Sequence, residues 1–276
     1  MSDPIAHHWC SRLREALPEL IRQTPELEVI AASASRLLHG STTRGVDDAV
    51  SDLDVWFLPP EDQPNKFVEF KLDGKAGHVQ IESRTGFESR LRRCDFQLIF
   101  ELRHAVVLAD PDGWADRLIA RARQTMPAAV REAWFAHHYI EMRSEHRALD
   151  NPIERRDAAA ILQALTSTVS HALRAAMVLD GVPYPYVKWL AYAAAQTPTG
   201  QRVTPLVDQI IDGLGAGMLR VGGPEREHPL NLLLRQIRNV LIDAAREAGI
   251  NAPWLQYWYL HLNERDRIHH VTWETT

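Results

Sequence analysis

Hydrophobic periodicity changes once along this chain, near residue 113, and the change divides it. Before that point, short apolar runs alternate with polar turns in the manner of strands; from Trp114 onward almost every segment repeats its apolar residues at helical spacing. A first helix runs from Pro4 to about Gln23, with Leu13, Leu17, Leu20 and Ile21 on one face. Strands are expected at 35–39, which breaks at Gly40, and at 52–58, where acidic and apolar residues alternate until Pro59-Pro60. Segments 66–72 and 78–83 flank Asp73-Gly74-Lys75-Ala76-Gly77 and read as a β-hairpin; 105–109 is a further β-like run. Helices follow at 114–124, 127–148, 153–180, 186–196, 203–213, 228–248 and 254–262. They are separated by breakers such as Pro127, Asn151-Pro152, Gly181, Thr197-Pro198, Gly222-Gly223-Pro224 and Gly249. The pattern predicts an α+β protein of two domains: residues 1–126, a mixed sheet with flanking helices, and 127–276, an all-α bundle.

Composition limits the partners. Hydrophobic residues make up 45% and charged residues 24% of the 276, which is enough apolar material for packed cores. The net charge of −5 argues against a broad nucleic-acid footprint, though it leaves room for a local basic cleft. Cys10 and Cys94 have neither metal-binding spacing nor the density of a disulfide scaffold, so a reducing cytoplasm is expected. The stretch 1–14 is interrupted by Asp3, His7, His8 and Arg12 and lacks a signal-peptide core. No run of about 18 apolar residues occurs, so no membrane partner is expected.

The chemistry-bearing stretch is Gly40-Ser41-Thr42-Thr43-Arg44-Gly45, followed by Asp52-Leu53-Asp54. In a strand, alternate side chains share a face, so Asp52 and Asp54 emerge together while Leu53 and Val55 turn to the core. Two adjacent carboxylates repel unless a cation lies between them, and Mg²⁺ favours carboxylates combined with substrate phosphate oxygens. Upstream, a Gly40-Ser41 turn after an apolar strand presents backbone N–H groups and a hydroxyl to phosphate, with Arg44 adding positive charge. A two-ion site needs a third carboxylate. Glu82, at the end of 79–82, is the expected one, with Glu69 as its competitor.

These residues resemble the signature of polymerase β-like nucleotidyltransferases over about 36–83. The arrangement of a small catalytic domain before a helical one is similar to antibiotic nucleotidyltransferases acting on aminoglycosides and lincosamides. The resemblance implies a Mg²⁺-dependent transfer of a nucleoside monophosphate, with ATP the expected donor, onto a hydroxyl of a small-molecule acceptor. It implies two Mg²⁺ ions on Asp52, Asp54 and Glu82, and triphosphate on Gly40, Ser41 and Arg44. Glu82 is the expected general base, a helical-domain carboxylate its rival. Val182-Pro183-Tyr184-Pro185-Tyr186-Val187-Lys188-Trp189 is similar to an element of bacterial nucleotidyltransferase-like proteins, by which Lys188 reaches the triphosphate.

In the second half, His138, Glu141 and Glu145 share a helix face, with His137 nearby. Three readings stay open: an acceptor-binding patch together with Tyr186, a zinc site, or a solvated face. A cationic acceptor would want carboxylates, which Asp150, Glu154, Asp157, Asp208 and Asp212 could supply. The alternative activity is nucleotidyl transfer onto tRNA or a protein. A binding protein without catalysis is the third possibility. A P-loop, a Gly-x-Ser-x-Gly elbow, a His-Glu-x-x-His motif and a Cys-x-x-Cys pair are all absent from the sequence.

Overall fold

A computed structural model describes residues 4–46, 48, 50–221 and 224–273; the Gly222-Gly223 break lies outside them. The chain forms two compact units, one up to Gln124 and one from Thr125 onward. It is α+β, with a five-stranded mixed sheet and many helices.

The first unit contains α1 (Pro4–Gln23), α2 (Pro25–Glu28), β1 (Ser35–His39), β2 (Leu53–Leu58), β3 (Lys66–Leu72) and β4 (Lys75–Ile81). These are followed by α3 (Arg84–Arg92), α4 (Phe96–His104), β5 (Val106–Ala109) and α5 (Trp114–Ala122). Strand order is β3-β4-β2-β1-β5. The pair β2–β4 is parallel, while β1–β2, β1–β5 and β3–β4 are antiparallel. One sheet face carries Leu38, Leu53, Val55, Phe57, Val79 and Ile81, packed with Cys10, Leu13 and Leu17 of α1. Burial of such side chains stabilises by roughly 1.5–3 kcal/mol each, which fixes the register of every strand that contributes to this face.

The hairpin is tighter than its sequence suggests. Asp73 and Gly74, with φ of 52° and 83°, make a two-residue turn, so β4 begins at Lys75 rather than 78. Gly77 continues the strand because the Phe70 ring covers it: a Cβ there would lie 2.2 Å from Phe70 Cζ. Ser83 and Asp95 cap α3 and α4, accepting from the N–H groups of Gly86 and Leu98. Arg84, buried, donates to the Leu58 carbonyl at 3.0 Å and the Ser35 hydroxyl at 3.0 Å, and tethers the ends of β1 and β2 to α3.

The second unit is helical: α6 (Ala128–Arg147), α7 (Asp150–Arg155), α8 (Ala158–Leu179), α9 (Val187–Ala194), α10 (Pro198–Gly215), α11 (Pro229–Glu247) and α12 (Trp254–Tyr257), with 3-10 segments after α10 and α12. Helix α10 starts at Pro198, earlier than expected, because Thr197 accepts from Gly200 N–H and proline suits the first turn. The buried residues of α6 include Phe135, His138, Tyr139, Ile140 and Met142. Among the described residues no helix is long and apolar enough to cross a membrane.

Candidate active site

Backbone geometry brings the glycine turn and the aspartates together. Gly40 ends β1 with φ of 87°, and Ser41–Arg44 then form one 3-10 turn. A Cβ on residue 40 would meet Asp54 Oδ2 at 2.7 Å, so the backbone of the turn lies directly against that carboxylate. Thr42 Oγ1 donates to the Asp52 carbonyl at 3.3 Å, tying the turn to the residue before β2. Leu53 and Val55 are fully buried on the opposite face, as the period of two requires.

Strand register decides what else joins this face. Asp54 is level with His39 on β1 and with His78 on β4, and His78 is level with Glu69 on β3. His78 Nε2 lies 3.6 Å from Asp52 Oδ2. His39 is stacked on Trp56 with ring centroids 3.6 Å apart, and Trp56 Nε1 donates to Gln80 Oε1 at 3.0 Å. Burial, with Arg44 adding to it, pushes the His39 imidazole down to about 3, so it stays neutral near pH 7.

Glu82 is not part of this row. It follows the Phe57–Ile81 pair, and its N–H donates to the Phe57 carbonyl at 3.2 Å, level with the far end of β2. Four residues of strand separate that level from Asp54, about 13 Å. Glu82 instead accepts from Arg90 at 3.2 Å, and burial raises its carboxyl above the ordinary range. The expectation that it completes the carboxylate set is therefore corrected; His78 occupies the place beside Asp54. Glu69 shares the row but stands two strands away, roughly 10 Å.

Arg44 is also placed differently from the expectation. Its Nη1 donates to both carboxylate oxygens of Glu101, at 2.7 and 2.8 Å, and Glu101 also accepts from the Gly40 N–H at 3.2 Å. Arg44 is nearly buried, and a guanidinium in that setting needs an anionic partner. Glu101, from α4, was not singled out from the sequence. Its position nearly two turns after the Asp95 cap carries no signal of this pairing, which depends on how α4 packs on the sheet. Ser41 and Thr42 are buried.

Within the second unit, Lys188 is exposed in the first turn of α9 and Tyr186, also exposed, precedes it. Glu141 pairs with Arg265 at 3.3 Å. Glu145 is half-buried. His138 is buried rather than solvated: its Nδ1 faces His171 Nδ1 and its Nε2 faces the Tyr184 hydroxyl, each at 3.0 Å. Burial and the neighbouring His171 hold it well below the ordinary imidazole range. Among the described residues no group of three metal-ligating side chains occurs, which removes the zinc reading there. The carboxylates suggested for a cationic acceptor are placed as follows. Asp157 caps α8, Glu154, Asp208 and Asp212 are exposed, and Asp150 pairs with Arg147 at 2.9 Å.

The DUF4037 domain of unknown function matches residues 92–190. No curated protein sequence matches the chain. Among solved structures, the chain is similar to a nucleotidyltransferase-like protein from Exiguobacterium sibiricum, at 11% identity and a TM-score of 0.49, covering 94% of this chain and 81% of that one.

This face carries the Asp52 and Asp54 carboxylates and the His78 imidazole, which among the described residues do not form a group of three able to hold a metal ion together. Two carboxylates suit a Mg²⁺ ion that arrives with phosphate oxygens, which supply the remaining ligands. They do not make a closed three-carboxylate cage, consistent with the displaced position of Glu82.

Proposed function

We propose that the first unit is a polymerase β-like nucleotidyltransferase domain. In this reading the protein transfers a nucleoside monophosphate, AMP from ATP, to a hydroxyl acceptor and releases pyrophosphate. The observation that carries it is the contact of the Gly40 turn with the Asp54 carboxylate, with Asp52 two residues before it and 3.6 Å from His78, the residue level with Asp54. Backbone without a side chain meets a carboxylate here, which lets phosphate oxygens and an acidic group approach one another through a shared cation.

Asp52 and Asp54 would hold Mg²⁺, whose charge when bound offsets that of the triphosphate. The Ser41–Arg44 turn would orient the phosphates through backbone N–H groups other than that of Gly40, which Glu101 already holds. Arg44 would fix the turn through Glu101 rather than touch phosphate. His78, close to Asp52, would accept the proton of the attacking hydroxyl, a role in which an imidazole is effective near neutral pH. Lys188 would add a charge to the β and γ phosphates, on the strength of the sequence resemblance alone.

A hydroxyl of an aminoglycoside-like small molecule stays the proposed acceptor class, with Glu154, Asp157, Asp208 and Asp212 exposed on the second unit. The test is pyrophosphate release from each of the four NTPs with Mg²⁺ and candidate hydroxyl acceptors. Asp52→Asn is the blank, and equal turnover by that variant would remove the assignment.

A further inference from the structure

The strongest unexplained feature of the second unit is a cavity walled by arginine. It has a volume of about 490 Å³ and is lined by Arg143, Arg238 and Arg246 together with Asn251, Leu255 and Gln256; among the described residues no carboxylate lines it. A second cavity, of about 720 Å³, shares Arg143, Arg238 and Gln256 with the first, so the two adjoin. Its wall carries Trp258 and Tyr259, edge to face at 6.1 Å. Charges balance better there, since Asp150 and Glu225 oppose Arg147 and Arg235.

The three guanidiniums are held in place by groups that leave most of their charge unspent. Arg143 donates to the Tyr139 hydroxyl at 3.2 Å and lies over the rings of Tyr139 and Trp258, at 5.9 and 5.7 Å. Its Nε is buried with no hydrogen-bond partner among the described residues. Tyr139 in turn donates to the Leu255 carbonyl at 2.6 Å, which anchors the cavity wall. Arg238 is bonded to the neutral Asn239 side chain, and Arg246 reaches Asp243 only at 3.8 Å, with both groups exposed. Burial, with repulsion from Arg143 and Arg235, lowers the Arg238 pKa. Three like charges around a partly enclosed cavity cost free energy unless an anion joins them. Arginine is also the residue that binds phosphate with paired, directed hydrogen bonds.

We propose that the arginine cavity binds the phosphate of a nucleotide, with Trp258 and Tyr259 of the adjoining cavity lining the space for its base. Each cavity by itself lies within the roughly 300–1,000 Å³ of small-ligand pockets, so the adjoining pair has room for a mononucleotide or the phosphorylated end of a strand. Phosphate alone would meet the guanidiniums but not the aromatic wall; a nucleoside alone would meet only the wall. Each would therefore bind more weakly than the nucleotide. This site does not rest on the nucleotidyl-transfer reading, because it lies wholly within the second unit.

Calorimetric titration of the full chain, in EDTA and low salt, separates the cases. The probes are inorganic phosphate, adenosine, AMP and a 5′-phosphorylated trinucleotide. AMP is expected to bind at least tenfold more tightly than either phosphate or adenosine, and more weakly as NaCl is raised. A tighter trinucleotide identifies a strand end as the ligand, and an equal or weaker one identifies the free nucleotide; both support the site. The double variant R238Q/R246Q is expected to lose AMP binding at least tenfold with its thermal midpoint unchanged, while R238K retains most of it. Asp52→Asn is expected to bind AMP as the wild type does in EDTA. Loss of binding in Asp52→Asn with no change in R238Q/R246Q overturns the proposal, as does failure of AMP to bind at all. Equal affinity for AMP and phosphate overturns the aromatic part.

Discussion

Gly40 and Asp54 fit together only because residue 40 has no side chain. A methyl group there would stand 2.7 Å from Asp54 Oδ2, and the φ of 87° is one that other residues rarely adopt. Gly40→Ala is therefore expected to cost about 1–3 kcal/mol in stability and to displace the carboxylate. Gly74→Ala supplies the control: its φ is 83°, but nothing lies within 4 Å of the added methyl. Urea unfolding should show losses in both variants, while Mg²⁺-dependent ATP binding should fall only in Gly40→Ala. Equal ATP binding in the two variants would disconnect the turn from the carboxylate.

The displacement of Glu82 separates two roles that the sequence had joined. Glu82→Gln is expected to leave Mg²⁺-dependent ATP affinity within about twofold of wild type, since Glu82 is level with the wrong end of β2. Asp52→Asn should abolish that affinity. His78→Gln should retain ATP binding and lose turnover by roughly 10²–10⁴-fold if the imidazole takes the proton. Equilibrium binding and single-turnover rates on the three variants distinguish these outcomes. A Glu82→Gln variant as defective in binding as Asp52→Asn would mean that the register argument is wrong.

What could be read from the sequence was local, and what could not was register. The period of two through Leu53-Asp54-Val55 and the break at Gly40 are properties of a few consecutive residues, and both reappear in the strands. The place of Glu82 depends on a parallel pairing between β2 and β4, strands separated by a whole hairpin partner, and no short pattern encodes it. The start of β4 was obscured because Lys75-Ala76-Gly77 looks like turn chemistry until the Phe70 ring above Gly77 is known. His138 has the same difficulty. Its charged neighbours in sequence suggest water, yet α6 is buried widely enough that the imidazole faces His171 and Tyr184. The two helices between β4 and β5, capped by Ser83 and Asp95, were not expected from the sequence.

Glu101 should matter for folding more than for chemistry. It pairs with a nearly buried Arg44 and also accepts from the Gly40 N–H, so removing it takes a partner from a buried charge and from a backbone donor at once. Glu101→Ala is expected to lower stability by as much as about 3–5 kcal/mol. Replacing both partners, Arg44→Met with Glu101→Met, should recover a large part of the loss, because no charge is then left buried. Chemical denaturation of the two variants checks this. A double variant no better than Glu101→Ala would mean that packing, rather than charge, carries the effect.

Acid should destabilise the fold through imidazoles before carboxylates are involved. Burial pushes His39 down to about 3 and His146 and His171 to about 4, against about 6.5 in an unfolded chain. The unfolded state then binds more protons, so unfolding free energy rises with pH. The contribution is complete above about pH 6.5 and is lost progressively as pH falls toward 4 and then 3. Full loss would amount to on the order of 3 kcal/mol for each of His146 and His171 and about 5 for His39. Urea midpoints measured between pH 7.5 and 4.5 should fall steadily, and His171→Asn should flatten the slope. A stability that is flat over this range would contradict the burial of these rings.

Lys188 tests the resemblance on which its role depends. It is exposed in the first turn of α9, so an alanine there costs little in folding, within roughly 0.5 kcal/mol. If the side chain meets the triphosphate, Lys188→Ala should weaken ATP binding about tenfold or more while AMP binding is unaffected, because only the β and γ phosphates are lost as partners. Lys188→Arg should restore part of the affinity through charge alone, short of full recovery since a planar fork replaces a compact ammonium. Competitive binding of ATP and AMP to the three proteins at fixed Mg²⁺ measures the difference. Unchanged ATP affinity in Lys188→Ala would leave α9 with a structural role and remove the lysine from the site.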